Sequence, residues 1–213
     1  MKHFSNWVLT LLCCLSIPYN AIAEEFKLKY RTNYLMPAYV NFKNDGTQYA
    51  IEARINVPLY NILFRAKGIE KDQQFHLLSY RDYRNKKTYA VAELDNQRIQ
   101  YGKAKETLKT ELLTLPTFDL FSLAFQLSYY DKLPKDFQTT NGKKLYPAHD
   151  VHLTQSIKQL KIHQQEVREI TYQFKTGDKY ITVKKWAGER FPRYIAYNRD
   201  GDNYELTFDR FEQ

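Results

Sequence analysis

Cys13 and Cys14 stand side by side and are the only thiols of the chain. Adjacent cysteines raise three readings: a lipid anchor, a redox pair, or a segment that is cut away. Their flanks decide between these. Lys2 and the free amine form a short positive region, residues 7–17 are almost wholly apolar, Pro18 ends the run, and Ala21-Ile22-Ala23 places small residues at −3 and −1. That order predicts a secretory signal peptide cleaved after Ala23. The apolar run is about half the ~20 residues that a bilayer-spanning helix needs. Lipidation calls for a small residue before the cysteine, and Leu12 precedes Cys13. Neighbouring thiols in an apolar targeting helix have nothing beside them to stabilise a thiolate. The expected mature chain, residues 24–213, then carries no cysteine, and so no disulfide, thiolate nucleophile or Cys-based metal site. The expected location is the periplasm, and a peripheral position at the outer membrane is compatible with it.

Other chemistry-bearing residues are sparse. His149-Asp150-Val151-His152 has the residue types of a metal site. In a strand, however, positions i and i+3 face opposite ways, so the imidazoles diverge unless Pro147 makes a turn. They read as exposed polar residues, and no metal ligand is assigned. Ser79, Ser122, Ser128 and Ser156 all lie outside a Gly-x-Ser-x-Gly elbow. There is no Gly-rich phosphate loop. No catalytic residue and no cofactor follow from these patterns, and the expectation is a protein that is not an enzyme.

An aromatic cluster offers binding instead of reaction. In the segment bracketed by Pro116 and Pro134, Phe118, Phe121, Phe125 and Tyr129 recur at spacings of three and four, and Leu120, Leu123, Ala124 and Leu127 widen the apolar zone. This predicts a helix of about three turns, apolar over most of its circumference and buried on most sides. Thr117 can cap it, and Asp119 falls where the helix dipole favours a negative charge. Phe118, Phe121 and Phe125 either fill a core or line a cavity for an acyl chain. Trp186 stands among Lys184, Lys185, Arg190 and Arg193. It is either an ordinary half-buried ring or an aromatic with a cationic rim facing anionic headgroups.

The elements that position these residues are mostly strands. The chain holds 18 Tyr and 13 Phe against 7 Gly, a composition that favours pleated structure. Period-2 alternation places Phe26, Leu28 and Tyr30 on one face, then Ala38, Val40 and Phe42, then Tyr49, Ile51, Ala53 and Ile55 after an Asn44-Asp45-Gly46 turn. Further strands are predicted at residues 62–69, 74–83, 88–94 and 98–101, with 106–113 ambiguous between strand and helix. Beyond the helix, strands are expected at 144–154 (weakened by Pro147), 159–163 and 166–175. Three more complete an antiparallel meander, at 180–186, at 191–198 and after Asp200-Gly201. The expected fold is mainly β: a highly curved antiparallel sheet, half-barrel or barrel-like, wrapped around a central aromatic helix. A closed barrel and a sandwich are the alternatives. One β-rich domain at residues 24–213 is the natural count, since a chain of this size can bury roughly 70% of its unfolded surface.

The formal net charge is +8. Lys27, Lys29 and Arg31 alternate with apolar residues, and Arg81, Arg84, Lys86 and Lys87 cluster at a turn. This reads as a solvated face or as attraction to an anionic envelope component. Nucleic acid is disfavoured, because no recognition motif is present.

The stretches "PTFDLFSLAFQL" and "WAGERFPRYIAYNRDGDNYEL", with the basic "SYRDYRNKK" and the turn "ELDNQRIQ", resemble an exported Gram-negative family catalogued as domain-of-unknown-function family 3108. "KTGDKY" stands where that family carries a "TPAG"-like turn. The family's fold is similar to that of LolA/LolB-type lipoprotein carriers. The resemblance therefore implies a half-barrel with a helical cover over an apolar cavity and a role in binding a lipid or other hydrophobic ligand. It implies no catalytic residue. The expected function is non-catalytic binding of a hydrophobic or lipidic envelope component, with Phe118, Phe121, Phe125 and Trp186 lining a cavity. Lys184, Lys185, Arg190 and Arg193 would form its basic rim. The alternative is a scaffold that recruits an envelope protein through its sheet edge or basic face.

Overall fold

The structure is a computed structural model and describes residues 23–34, 36–176, 179–199 and 202–213. The expected signal peptide, with Cys13 and Cys14, lies outside the described residues, as do the Gly177-Asp178 and Asp200-Gly201 turns.

Sixteen strands and one helix are present among the described residues. Strands β1 (Glu24–Thr32), β2 (Ala38–Asn44), β3 (Gln48–Val57), β4 (Tyr60–Lys71), β5 (Gln74–Arg84), β6 (Lys87–Leu94), β7 (Arg98–Lys103) and β8 (Lys109–Leu112) come first. Then follow β9 (Thr117–Phe118), helix α1 (Leu120–Tyr130), β10 (Phe137–Thr140) and β11 (Leu145–Ala148). The chain ends in β12 (Thr154–Ile162), β13 (Gln165–Thr176), β14 (Lys179–Trp186), β15 (Tyr194–Arg199) and β16 (Asp202–Phe211).

Thirteen strands form one antiparallel sheet in the order β12-β13-β14-β15-β16-β1-β2-β3-β4-β5-β6-β7-β8. The first and last strands pair with each other inside it, Leu28 opposite Phe211 and Tyr30 opposite Phe208. Its edges, β8 and β12, do not pair, so the sheet is not closed. The closed-barrel alternative is thereby corrected. The segment between those edges forms a second sheet, β11-β10-β9, and the helix.

Hairpins succeed here with little glycine. The pairs Asp72-Gln73, Asn85-Lys86 and His163-Gln164 hold both central residues at positive φ. That is the twist a two-residue hairpin needs, and in two of the three pairs an Asp or Asn that tolerates it stands first. The turn after β2 uses Gly46 (φ 85°) and the Asp45 carboxylate, which accepts from the Thr47 and Gln48 amides at 2.8 and 2.7 Å. The ambiguous 106–113 segment contributes an exposed edge strand, β8, paired to β7. Pro147 sits in β11 at the edge of the small sheet, where its missing N–H costs no ladder bond. The strand expected at 144–154 ends at Ala148, and β12 begins five residues earlier than the expected strand start at 159.

The helix is held by strands distant in the sheet order. Phe125 stacks on Phe42 of β2 with ring centroids 4.1 Å apart and planes at 9°. Gln126, itself buried, accepts from the Phe75 amide of β5 at 2.8 Å and donates to the Gln73 carbonyl at 3.1 Å. From the other side of the sheet order, Lys185 of β14 donates to the Ser128 carbonyl at 2.8 Å. Tyr172 of β13 bonds the Asp131 carboxylate. The small sheet joins the same assembly: Phe137 of β10 packs edge-on against Phe174 of β13, and the Gly102 amide of β7 donates to the Gly142 carbonyl at 2.8 Å. Gly142 is required there. Its φ is +79°, and a Cβ would stand 3.1 Å from the Val91 amide nitrogen and the Ala90 methyl.

Candidate apolar cavity at the helix N-terminus

Asp119 caps α1. Its Oδ1 accepts from the Phe121 and Ser122 amides at 2.9 and 3.3 Å, and the Ser122 hydroxyl accepts from the Asp119 amide at 3.0 Å. This reciprocal box satisfies orphan donors of the first turn. Thr117, the other expected cap, lies instead in β9, where its hydroxyl accepts from Gln138 at 2.9 Å.

The cap opens onto a cavity of about 800 Å³. Leu120, Phe121 and Leu123 of the helix form one wall. Ile55 of β3, Ile62 and Phe64 of β4, Ile181 of β14, Ile195 of β15 and Leu206 of β16 form the others. Thr139 and Thr140 of β10 and Tyr146 of β11 close it from the small sheet. Half-exposed Tyr34 and Tyr204 line it as well, so its mouth reaches solvent. The size and the apolar walls match those of small-molecule sites, in which a few polar groups fix orientation.

Those polar groups are ionisable. Asp82 of β5 is buried, and its Oδ2 accepts from Arg84 Nη2 at 2.9 Å while Arg84 Nε lies 2.6 Å from Oδ1. The latter contact is close but lacks hydrogen-bond geometry, and both atoms are otherwise without a partner among the described residues. Burial raises the Asp82 pKa, and the Arg84 guanidinium opposes the rise. Lys143 and Lys179 also line the cavity, with Lys179 Nζ 3.1 Å from the Tyr146 ring centroid.

Asp119 is the most constrained of these groups. It is 2% exposed, and its Oδ2 has no hydrogen-bond partner among the described residues. Burial raises its pKa, while the Ser122 hydroxyl and the capping amides oppose the rise. Its charge reaches Tyr49 and Tyr80, whose hydroxyls are held well above the usual phenol range, chiefly by burial. The Tyr49 ring lies over Gly68 on the paired strand, and its hydroxyl faces towards Ser122 without a partner in hydrogen-bonding geometry.

The cavity gathers only part of the site read from the sequence. Phe121 is on its wall. Phe118 packs edge-on against Phe137, and Phe125 is sealed against Phe42. Trp186 lies under the Arg193 guanidinium, whose carbon stands 3.1 Å from the ring centroid. The four cations proposed as a rim are not on the cavity wall, and each has an acidic partner. Lys184 lies 3.5 Å from Glu169, Lys185 2.6 Å from Asp131, Arg190 3.0 Å from Glu24 and Arg193 2.6 Å from Glu189. His149 Nδ1 stands 3.4 Å from Asp136. The cations that do line the cavity are Arg84, Lys143 and Lys179. Arg84 belongs to a basic cluster visible in the sequence, whereas Lys143 and Lys179 stand in stretches with no distinguishing pattern.

No helix among the described residues is long and apolar enough to cross a membrane. No protein-family model, curated protein or solved structure matches the chain.

Proposed function

We propose that this protein binds a hydrophobic or lipidic small molecule in the cavity at the N-terminus of α1, without covalent chemistry. The carrying observation is the cavity itself, about 800 Å³ and walled by apolar side chains from one helix and several strands. Transfer of an acyl chain into such walls contributes about 0.8 kcal/mol per methylene. A chain of modest length therefore binds usefully with no catalytic group.

The same reading has the sheet bend around the helix, and two strand contacts support it. Strands β14 and β5 both touch α1, yet they stand seven places apart in the sheet order. Flat, that separation would be about 34 Å at ~4.8 Å per strand, against a helix diameter of about 10–12 Å. Curvature of this kind is what holds a cavity open beside a helix. It accords with the resemblance to half-barrel lipid carriers, and the apolar stretch before Ala23 accords with export to the periplasm.

The test is native mass spectrometry on delipidated protein incubated with a total lipid extract. One bound lipid per chain supports the proposal, and the absence of any saturable adduct overturns it. A second reading, recruitment of an envelope protein, draws on β12, an exposed nine-residue edge strand carrying Ile157 at 58% exposure. It would be favoured by a stoichiometric protein partner whose capture Ile157→Lys abolishes.

A further inference from the structure

We infer that the outer face of the sheet carries a second site, between β4 and β5, that binds a phosphate group. It is separate from the cavity at the helix and does not rest on the ligand proposed there. Side chains alternate along a strand. Ile62 and Phe64 of β4 and Tyr80, Asp82 and Arg84 of β5 line the cavity, and the residues between them form the opposite face. On that face Arg65, Lys67, Ser79, Arg81 and Tyr83 line a concavity of about 290 Å³. Each of the five carries an N–H or O–H donor, and no carboxylate is among them.

The register concentrates positive charge there. Arg65 stands directly opposite Arg81 across the β4–β5 ladder. Like charges so placed repel, and an anion held between them offsets the repulsion. Glu52 accepts from Arg65 Nε at 2.9 Å, and Glu93 Oε1 accepts from Arg81 Nε and Nη2 at 3.2 and 2.8 Å. Both terminal nitrogens of Arg65 and Nη1 of Arg81 are left to the Tyr83 hydroxyl and to an incoming anion. Lys67 has no acidic partner among the described residues. The Arg65 and Arg81 side chains are 48% and 47% exposed, so an anion from solvent reaches them.

The backbone is irregular at the same place. One register shift leaves Leu78 without a partner on β4, another falls between Asp82 and Tyr83, and Ser79 and Arg81 lie between the two. Such bulges re-aim side chains beside functional sites. The charge balance narrows the anion. Arg54 also donates to Glu52, so four cations face two carboxylates. The excess of two matches a phosphate monoester, which carries about −2 near neutral pH. A phosphate group also offers three acceptor oxygens, enough to engage both guanidiniums and the Lys67 ammonium together, whereas a carboxylate offers two.

A free phosphate and a lipid headgroup share this chemistry, and two probes separate them. Inorganic phosphate is titrated into the full chain by calorimetry, and co-sedimentation is measured with phosphatidylglycerol vesicles. Ionic strength is held at about 0.15 M, where charges beyond about 8 Å are screened. Lys67→Gln removes an exposed cation and leaves both Arg–Glu pairs in place. It is expected to weaken binding about tenfold, as loss of a hydrogen bond to a charged group does. Lys161→Gln removes the same charge from β12, at the far edge of the sheet, and should change binding less than about twofold. Saturable phosphate binding with this pattern establishes a site for the free anion. The same pattern with vesicles alone establishes a site for the headgroup. Equal losses in the two variants, or a loss in neither, would overturn the inference, and so would binding of neither probe.

Discussion

The two ends of the helix are built on opposite terms. At the C-terminal end nearly every polar group has a partner. Lys185 reaches in from β14, 5% exposed along its side chain, to the Ser128 carbonyl and to Asp131 at 2.6 Å. Asp131 ends the helix at φ 56° and takes the Tyr172 hydroxyl as well. The Tyr129 hydroxyl donates to Glu24 at 2.5 Å, and the Tyr130 hydroxyl to Glu70. Rings fill the remaining space, with Phe42, Phe75 and Tyr129 all within 6 Å of one another by centroid. A cation at the helix C-terminus also opposes the partial negative charge of the terminal carbonyls. At the N-terminal end a cavity replaces the rings, and the polar atoms Asp119 Oδ2 and Tyr49 OH are buried without partners among the described residues. Each such atom costs roughly 1–3 kcal/mol. The fold thus packs one end of the helix with rings and paired charges and leaves at the other a cavity with two buried polar atoms that lack partners among the described residues.

That contrast can be broken by substitution. The largest effect is expected at Phe125→Ala, which empties a fully buried ring from the stacked end. It should cost about 3–5 kcal/mol in urea unfolding. A cost under about 1 kcal/mol would mean that the packed end contributes little. Next comes Asp131→Asn. Asn tolerates the left-handed backbone, so the change removes charge and leaves Lys185 buried beside the Ser128 carbonyl alone. We expect a loss of about 2–3 kcal/mol, below the 3–5 typical of a broken buried pair because that carbonyl remains and Asp131 is half exposed. An unchanged urea midpoint would show that the pair does not hold the helix end.

At the other end the effects should shrink. Asp119→Ala removes the cap and is expected to cost about 1–2 kcal/mol, whereas Asp119→Asn keeps it and should be near neutral at low pH. The pH dependence sharpens the difference. The folded pKa of Asp119 lies above its unfolded value of about 3.9. The folded state therefore binds the proton more tightly, and its stability is greatest below the unfolded pKa and falls as pH rises through the folded one. Relative to Asp119→Asn, the unaltered protein should lose stability from about pH 4 upward. Parallel stability curves from pH 3 to 7 would refute a strained buried carboxyl. Asp82 shifts the same way but is common to both proteins and cancels. A small stability change is also expected for Ile62→Trp, which fills the cavity and should alter the free energy of urea unfolding by less than about 1 kcal/mol.

Much of the packed end was legible in the sequence. The three- and four-residue spacing of Phe118, Phe121, Phe125 and Tyr129 is a local signal of a mostly buried helix, and period-2 runs gave the strands from β1 to β7 because each has one buried face. The front half of β12 carried no such signal, since Thr154 to Gln159 are all exposed and nothing alternates. The cavity was less legible still. Its wall is assembled from β3, β4, β14, β15 and β16 as well as the helix, so no short window contains it. Spacing placed Phe125 on the same helix as Phe121 but could not tell that one stacks on Phe42 and the other lines the cavity beside Phe64. Around Trp186 the sequence shows the cations and, of their partners, only Glu189, whereas Glu169, Asp131 and Glu24 come to Lys184, Lys185 and Arg190 from other elements.

The central claim, that the N-terminal cavity is the ligand site, is tested most directly by one titration. A polyene fatty acid whose fluorescence rises on leaving water is added to delipidated protein and to Ile62→Trp. The expected result is a saturable rise at one equivalent for the unaltered chain and none for Ile62→Trp at the same folded fraction. Equal rises in both, or none in either, would contradict it.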